Sequence, residues 1–283
     1  MENKIYTLIT GASEGLGKRL AIECASRGFN LILVALAGET LPALGDFLER
    51  TFAVEVEVFA SDLSDEMNCY RLFEEIEQQG FHINMLINNA GIGGTAWFED
   101  ESAEQYASII KLNVLATTLI TRLFIHILEE NTPSYILNTG SMAGFFHLPK
   151  KQVYCGTKSF IYSFSRSLQK ELKRLNIHVS VLCPGGMNTS IGSILTNKSS
   201  PLMNRLSIMD PEDVAPLAID GLLRRKKVIV PGLLNRWFLF MDKILPGFLK
   251  KLIISKTTSK INPKLGYNIY HNTVSPALVK ANG

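Results

Sequence analysis

The chain contains few of the residues and patterns that mark secreted, metal-binding or membrane-spanning proteins. Only four of its 283 residues are cysteines, and Cys24, Cys69, Cys155 and Cys183 are widely spaced and include no C-x-x-C pair. That spacing excludes the usual cysteine patterns of zinc sites, so we expect reduced thiols, an intracellular location and no bound metal. No uncharged apolar run reaches the roughly 18 residues of a membrane span. The first residues lead directly into a short apolar segment, so we expect no signal peptide and predict a cytoplasmic protein.

An excess of charge of one sign is also missing. The chain has 29 basic and 26 acidic residues, a net charge of +3, which argues against nucleic acid as a partner. The charge is unevenly placed, because residues 222–260 contain ten Lys and Arg and one acidic residue, whereas the remainder is mildly acidic. With 46% hydrophobic and 19% charged residues, the composition is that of a folded protein with a large core.

Apolar segments rich in β-branched residues alternate with segments of helical periodicity along most of the chain. This alternation predicts an α/β fold, in which a parallel sheet carries helices on both faces. The predicted strands are residues 5–10, 30–36, 54–59, 83–88, 135–139, 179–182 and 228–230. The predicted helices are residues 18–27, 40–51, 65–79, 103–130 with an interruption near Asn113, a helix that carries Tyr154 and ends near 175, and 211–224. Residues 187–209, which are rich in Ser, Thr and Asn, are predicted to form a loop.

Three glycines lie between the first predicted strand and the first predicted helix. Gly11, Gly15 and Gly17 would let the backbone approach a pyrophosphate closely, and the following helix offers unpaired N–H groups and the positive end of its dipole. A dinucleotide is the natural occupant of such a site. The spacing G-x-x-x-G-x-G differs from the general G-x-G-x-x-G fingerprint, and a tight turn without a ligand is the alternative interpretation.

Tyr154 and Lys158 are four residues apart, so on a helix they would share one face. A neighbouring ammonium favours the phenolate and lowers the pKa of a tyrosine toward neutral pH, which makes the phenol a usable acid or base. Ser141, thirteen residues before Tyr154, could hydrogen-bond the same substrate oxygen. The alternative is that Tyr154 and Lys158 form an ordinary pair on a helix surface, and only the rest of the chain decides between the two.

Six elements of the sequence together resemble the short-chain dehydrogenase/reductase family. They are T-G-A-S-E-G-L-G at 10–17, N-N-A-G at 88–91, Asn113, Ser141, Tyr154-x-x-x-Lys158 and P-G-G-M-N-T at 184–189. The resemblance covers about residues 4–231, in the family's order and spacing. It implies one Rossmann-type domain over residues 1–231, with a doubly wound parallel sheet of about seven strands and a nicotinamide cofactor.

The resemblance also implies roles for individual residues. The implied catalytic set is Asn113, Ser141, Tyr154 and Lys158. The residues implied to contact the cofactor are Gly11, Ser13, Glu14, Gly15, Leu16, Gly17, Asp62, Leu63, Asn89, Ala90, Gly91, Tyr154, Lys158, Pro184, Gly185 and Thr189. Among them, Asp62 and Leu63 would border the adenine, and Thr189 would hold the nicotinamide carboxamide. Asn113 would hold a water that leads protons in from solvent.

The end of the second predicted strand bears on the choice between NADP and NAD. Enzymes that use NAD usually carry an acidic residue there for the ribose hydroxyls, and this chain has Ala35. Many relatives that use NADP place arginines next, whereas this chain has Leu36 and Ala37. The candidate contacts to a 2′-phosphate are Ser13, Lys18 and Arg19. Glu39 could instead bind the ribose, but the missing acidic residue favours NADP.

The expected reaction is the interconversion of a carbonyl and a secondary alcohol, and in the reducing direction the cofactor's hydride would go to the carbonyl carbon. Tyr154 would protonate the carbonyl oxygen, and Ser141 would hydrogen-bond that oxygen. Lys158 would lower the pKa of the phenol and bind the ribose next to the nicotinamide. A cofactor-binding sensor or scaffold without turnover is the alternative, although such a protein has no need of the complete catalytic set.

Residues 232–283 extend beyond the part that resembles the family, and they are basic and apolar. Residues 233–241 and 244–254 are two apolar segments of helical pattern, separated by a Pro-Gly pair and interrupted by charges. Three interpretations remain open: a flap over the substrate site, a subunit interface in a homo-oligomer, or a helix at a membrane surface through 233–254. An apolar cover would suit a small lipophilic substrate, such as a ketoacyl or steroid ketone.

Overall fold

The computed structural model describes residues 4–188 and 207–244, with side chains described as far as residue 240. The described strands are β1 (Ile5–Thr10), β2 (Asn30–Ala35), β3 (Val56–Ala60), β4 (His82–Asn88), β5 (Ser134–Thr139), β6 (Ile177–Leu182) and β7 (Val228–Ile229). All seven are parallel and form one sheet in the order β3-β2-β1-β4-β5-β6-β7. The strand order reverses between β1 and β4, which confirms the predicted Rossmann-type α/β fold with a doubly wound parallel sheet.

Helices follow the strands in alternation. The described α-helices are α1 (Gly15–Ser26), α2 (Thr40–Phe52), α3 (Glu66–Gln78), α4 (Ala103–Ile110), α5 (Thr117–Glu130), α6 (Gln152–Leu172), α7 (Pro211–Leu223) and α8 (Leu233–Ile244). Short 3₁₀ turns span Phe98–Asp100, Met142–Phe145 and Lys173–Leu175. Each of these helices except α8 lies within the part of the chain that was expected to form the dinucleotide-binding domain.

Both faces of the sheet are buried, and the strand side chains pack against helices on each face. In β2, Leu31 and Leu33 belong to the core that packs under α1, α2 and α7, whereas Ile32 and Val34 belong to the core under α3, α5 and α6. Successive residues of a strand point to opposite faces, so a strand covered on both sides is largely apolar along its length. This is why the strands could be recognised as continuous apolar runs.

The helical stretch 103–130 is continuous but irregular, because a π-helical turn over Lys111–Ala116 joins α4 to α5. The turn contains Asn113, where the sequence pattern is interrupted, and turns of this kind frequently occur at functional sites. By length and composition the stretch is apolar enough to cross a membrane. Phe124 and Leu128 are nevertheless fully buried in the core under α3 and α5, so much of this apolar character belongs to a core helix.

A few predicted boundaries differ from those of the structure. Helix α1 begins at Gly15, three residues earlier than expected, because the glycine turn itself forms its first turn. The predicted loop 187–209 is described only at its ends, where Met187 and Met209 form a parallel bridge. The first apolar segment of the extension is helical as α8, and the second predicted segment lies almost entirely outside the described residues.

Candidate active site

Four loops meet at the carboxyl edge of the sheet, beside the point where the strand order reverses. The glycine turn follows β1, residues 89–91 follow β4, Ser141 follows β5 and residues 184–186 follow β6. Because the strands are parallel, these loops lie at the same edge, where open α/β sheets bind their ligands. The fold therefore gathers the predicted cofactor-binding and catalytic segments in one crevice.

The glycine turn is packed too closely for side chains at its key positions. Gly11 has a φ of 65° and Gly15 a φ of 53°, both in the left-handed region that favours glycine. A Cβ atom on Gly17 would lie 1.9 Å from the carbonyl oxygen of Gly11. From the β4 loop, Asn89 Nδ2 donates to the carbonyl oxygens of Thr10 and Gly11 at 3.2 and 3.1 Å. The turn is thus closed against α1 on one side and held by Asn89 on the other.

The amino terminus of α1 fits a phosphate group. Glu14 is the N-cap residue, its side chain makes no capping hydrogen bond, and the first helical turn carries no acidic side chain. The N–H groups of that turn therefore lack a side-chain cap and carry the positive end of the helix dipole. Ser13 is partly exposed beside them, whereas Leu16 is buried in the core and can offer a ligand only its backbone. Close-packed glycines and free donors suit the pyrophosphate of a dinucleotide.

Two buried polar residues to which the sequence analysis assigned no role hold this crevice together. Thr10 Oγ1 accepts hydrogen bonds from the backbone N–H groups of Asn89 and Ala90 at 3.0 and 3.1 Å. Asn88 Nδ2 donates to Asn138 Oδ1 at 2.8 Å and so joins β4 to β5 inside the core. Polar residues within otherwise apolar strands are the signal that could have identified them, because a buried polar group needs a partner.

The edge predicted to border the adenine combines an apolar side chain with a carboxylate. Leu63 is buried and lines a small recess together with Ala90. Asp62 is exposed, and its Oδ1 accepts hydrogen bonds from the backbone N–H and the hydroxyl of Ser64 at 2.9 and 2.7 Å. The carboxylate thus fixes the turn after β3, which keeps Leu63 at the crevice.

The three side chains predicted to contact a 2′-phosphate differ in whether they already have a partner in the protein. Arg19 forms an ion pair with Glu212 on α7. Lys18 is exposed and forms no ion pair within the described residues, and the hydroxyl of Ser13 makes no hydrogen bond there. Ser13 and Lys18 are therefore the two of the three whose side chains are free to reach a phosphate.

Ser141 and Tyr154 face each other across the crevice. Ser141 precedes the 3₁₀ turn Met142–Phe145, and its Oγ accepts a hydrogen bond from the N–H of Ala143 at 3.1 Å. Burial raises the pKa of Tyr154, and its hydrogen bond with Ser141 offsets part of that shift. The phenol is therefore protonated at neutral pH and is placed next to a second hydroxyl.

Lys158 is buried and has no carboxylate partner within the described residues. Its Nζ donates to the carbonyl oxygen of Thr139 at 2.8 Å and lies 5.8 Å from the centre of the Tyr154 ring. Burial lowers the pKa of Lys158 to about 8, and interaction with Cys183 opposes this shift. The expected lowering of the pKa of Tyr154 by Lys158 is wrong for this structure, because burial of the phenol dominates and raises it.

The buried amide of Asn113 binds backbone and side-chain groups of the protein. Its Oδ1 accepts from the N–H of Ile92 and its Nδ2 donates to the carbonyl oxygen of Ile92, both at 2.9 Å. Nδ2 also donates to Thr157 Oγ1 at 3.1 Å, and that hydroxyl donates to the carbonyl oxygen of Tyr154 at 2.8 Å. The amide thus connects the β4 loop to the helix that carries Tyr154. The water expected at Asn113 stays a prediction, and Thr157 is a supporting residue that the sequence analysis did not find.

The remaining predicted residues lie around this centre. A Cβ atom on Gly91 would lie 3.0 Å from Asn113 Oδ1 and 3.5 Å from Lys158 Nζ, so Gly91 is in contact with the catalytic set. The carbonyl oxygen of Pro184 accepts a hydrogen bond from the N–H of Met142 at 2.8 Å, which ties the β6 loop to the turn after Ser141. Thr189 lies outside the described residues.

Comparison with known proteins identifies the family. The profile of the short chain dehydrogenase family matches residues 6–199, which is more than half of the chain. The protein therefore belongs to the short-chain dehydrogenase/reductase family, as its motifs predicted. It is an oxidoreductase of the class that acts on hydroxyl and carbonyl groups.

Several characterised proteins are similar to this chain. The NADP-dependent 3-hydroxy acid dehydrogenase of Schizosaccharomyces pombe is 31% identical over 229 residues, a match that covers 79% of this chain and 88% of the relative. A very-long-chain 3-oxoacyl-CoA reductase of Vanderwaltozyma polyspora is 33% identical over 203 residues, covering 68% of this chain but only 58% of the relative's length. A solved short-chain dehydrogenase from Sphingobium yanoikuyae in complex with NADPH superposes with a TM-score of 0.74 at 28% identity, covering 94% of this chain and 99% of that one.

Proposed function

We propose that this protein reduces a ketone to a secondary alcohol with NADPH, and that Tyr154 donates the proton. The observation that carries the proposal is the position of the Tyr154 phenol beside Ser141, with Lys158 Nζ 5.8 Å from its ring, at the carboxyl edge of the sheet. A phenol that holds its proton at neutral pH can donate that proton to a carbonyl oxygen.

Each residue of the site has a separate role in the proposed reaction. NADPH, when bound, supplies the hydride. The hydroxyl of Ser141 holds the carbonyl oxygen, and Tyr154 gives that oxygen its proton as the alcohol forms. The ammonium of Lys158 stabilises the phenolate left behind, and proton exchange with solvent restores the phenol. Asn113 and Thr157 connect the β4 loop to α6 by hydrogen bonds, which keeps Tyr154 and Lys158 in place relative to that loop.

Preference for NADP over NAD is part of the proposal. At the end of β2, Ala35 is buried and Leu36 is 63% exposed, so the position that serves ribose hydroxyls in enzymes using NAD has no carboxylate. The side chains of Ser13 and Lys18 have no hydrogen bond or ion pair among the described residues and are free to contact a 2′-phosphate. Support also comes from the S. pombe relative and the S. yanoikuyae structure, whose names specify NADP and NADPH respectively.

The substrate is proposed to be lipophilic, with α8 as part of the cover over the site. Asn235 on α8 is buried, and its Nδ2 donates to the carbonyl oxygens of Pro231 at 2.9 Å and Ser207 at 3.2 Å. A Cβ atom on Gly185 would lie 2.8 Å from the Asn235 side chain, so α8 begins directly beside the β6 loop of the crevice. A subunit contact and a peripheral membrane contact are the alternative roles of this extension.

Steady-state reduction of ketones of graded lipophilicity, with NADPH or NADH, tests this proposal. We expect tighter binding of NADPH than of NADH, and turnover that Tyr154→Phe reduces by a factor of about 10²–10⁴ while the Kd of NADPH stays within a few-fold. Tyr162→Phe, on the same helix, is the matched control. Cofactor binding without turnover of any ketone or alcohol would favour a sensor, and a fully active Tyr154→Phe variant would refute the proposed role of the phenol.

A further inference from the structure

A second lysine lies beside the phenol of Tyr154. Lys151 is the N-cap residue of α6, and its Nζ is 5.8 Å from the centre of the Tyr154 ring, the same distance as that of Lys158. The two lysines differ in their surroundings. Lys158 is bound to the carbonyl oxygen of Thr139, whereas Lys151 Nζ makes no hydrogen bond or ion pair within the described residues.

Lys151 lines a recess that opens next to the reacting group. The recess is formed by the segments 94–96 and 150–154, with Tyr106 and Ile109 beneath them. The two segments are joined where the N–H of Ala96 donates to the carbonyl oxygen of Lys150 at 3.0 Å. This hydrogen bond fixes the two segments against each other, and Lys151 and Tyr154 both line the recess that they form.

The charges around the recess leave Lys151 uncompensated. Glu101 is the one acidic residue that lines it, and it forms no ion pair with Lys151; its Oε1 accepts a hydrogen bond from the N–H of Ser102. Lys150 Nζ lies over the ring of Trp97, 4.7 Å from its centre. Burial lowers the pKa of Lys151, and no carboxylate opposes this effect. A partly buried cation without a counter-ion is costly to keep, unless a ligand supplies the negative charge.

We propose that Lys151 determines substrate specificity by binding a carboxylate of the ketone substrate. The preferred substrates are then oxo acids whose carboxylate lies within a few bonds of the reacting carbonyl, and their apolar chain extends away from Lys151. This inference rests on the proposed function of Tyr154. A neutral ester, thioester or steroid ketone would place no charge in the recess and would gain nothing from Lys151.

Reduction of 3-oxohexanoate and of its ethyl ester by the full-length protein with NADPH tests this inference, because the two substrates differ chiefly in charge. Lys151→Met should lower the ratio of kcat/KM for the acid to kcat/KM for the ester by about tenfold or more, the usual value of a charged hydrogen bond. Lys151→Arg, which keeps the charge, should retain most of the ratio. Lys170→Met, at an exposed position near the other end of the same helix, is the matched control and should leave the ratio unchanged.

The outcomes separate this inference from the function on which it rests. Equal effects of Lys151→Met on acid and ester, or a wild-type protein that prefers the ester, would overturn the role of Lys151 while leaving ketone reduction intact. A wild-type protein that reduces neither substrate and no other ketone with either cofactor would overturn the proposed function, and this inference with it.

Discussion

Lys158 is the residue at which function and stability conflict most directly. Its ammonium is buried, its pKa is lowered to about 8, and its one hydrogen-bond acceptor among the described residues is the uncharged carbonyl group of Thr139. Removing a charge from water costs free energy, and a hydrogen bond to one carbonyl group does not fully offset that cost. The protein therefore loses stability to keep a cation beside Tyr154, as is common at active sites.

Replacing Lys158 with Met should abolish turnover and yet stabilise the fold. At pH 7 the native ammonium is charged and poorly solvated, so we expect Lys158→Met to raise the free energy of unfolding by about 1–3 kcal/mol. Between pH 8 and pH 10.5, the ordinary pKa of a lysine, Lys158 is protonated in the unfolded chain but largely deprotonated in the folded one, so the stability cost of Lys158 should fall as pH rises. The stability advantage of the variant over the native protein should therefore shrink from pH 7 to pH 10.5.

Urea unfolding at pH 7 and pH 10.5 measures both effects without cofactor. Lys170→Met, at an exposed position on the same helix, is the control and should change little. A Lys158→Met protein that is several kcal/mol less stable than the native one at pH 7 would contradict the assignment of Lys158 as a destabilising catalytic cation.

For individual residues, the sequence predicted which side chains lie together but not the direction in which burial shifts their pKa values. The spacing of Tyr154 and Lys158 placed them on one helix face, because that depends on local geometry alone. The direction of the pKa shift of Tyr154 depends on how deeply neighbouring elements bury it, which no local pattern records. Thr157 was missed for the same reason, since its partner Asn113 is 44 residues away in the chain.

Among the elements, Gly17 in the glycine turn and Gly156 in α6 are expected to respond oppositely to replacement by alanine. Gly17→Ala would bring a methyl group to 1.9 Å from the Gly11 carbonyl oxygen, so we expect α1 to shift and the Kd of NADPH to rise by at least about tenfold, or the fold to be lost. Gly156 lies inside α6, and a Cβ atom there would meet no atom within 4 Å. Gly156→Ala should therefore raise the free energy of unfolding by about 0.5–1 kcal/mol.

Thermal unfolding and NADPH titration of the two alanine variants check this contrast. Normal NADPH affinity in Gly17→Ala would mean that the turn does not approach the cofactor as closely as proposed. A destabilised Gly156→Ala would mean that the helix around Tyr154 needs glycine for a reason other than space.

The elements themselves were largely predictable, whereas their irregularities were not. Strands buried on both faces were recognised as apolar runs, and Gly28, with a φ of 79°, follows the end of α1 as expected for a helix stop. The interruption at Asn113 was visible as a break in periodicity, but the π turn and the hydrogen bonds between Asn113 and Ile92 were not, because Ile92 is 21 residues away in the chain. The clamp of Asn89 on the glycine turn likewise joins strands that are far apart in sequence.

At the scale of the whole molecule, α8 has an apolar face that the rest of the described chain does not cover. Leu233, Trp237 and Phe240 follow helical spacing along one side and are 82%, 50% and 60% exposed. Asn235, on another side of the helix, is buried against the β6 loop. An apolar face anchored beside the crevice suits a cover for a lipophilic chain.

Replacing Trp237 and Phe240 together with Ser should weaken binding of long substrates selectively. We expect the KM of a long-chain oxo acid to rise severalfold, because apolar contact area is lost, while the KM of a short-chain oxo acid stays unchanged. Phe47→Ser, at an exposed phenylalanine on α2, is the control. Unchanged KM values would contradict the cover, and flotation with anionic vesicles or a change in molar mass would then assign the face to a membrane or to a second subunit.

The central claim is hydride transfer to a carbonyl with proton donation by Tyr154, and isotope transfer tests it most directly. NADPH carrying deuterium at C4 of the nicotinamide, labelled on either face in separate samples, is mixed with an oxo acid under single-turnover conditions. The native protein is predicted to give an alcohol with one deuterium on the carbinol carbon from one of the two labels, and Tyr154→Phe to slow this transfer by a factor of about 10²–10⁴. An alcohol without deuterium from either label, or equally fast transfer by Tyr154→Phe, would contradict the account.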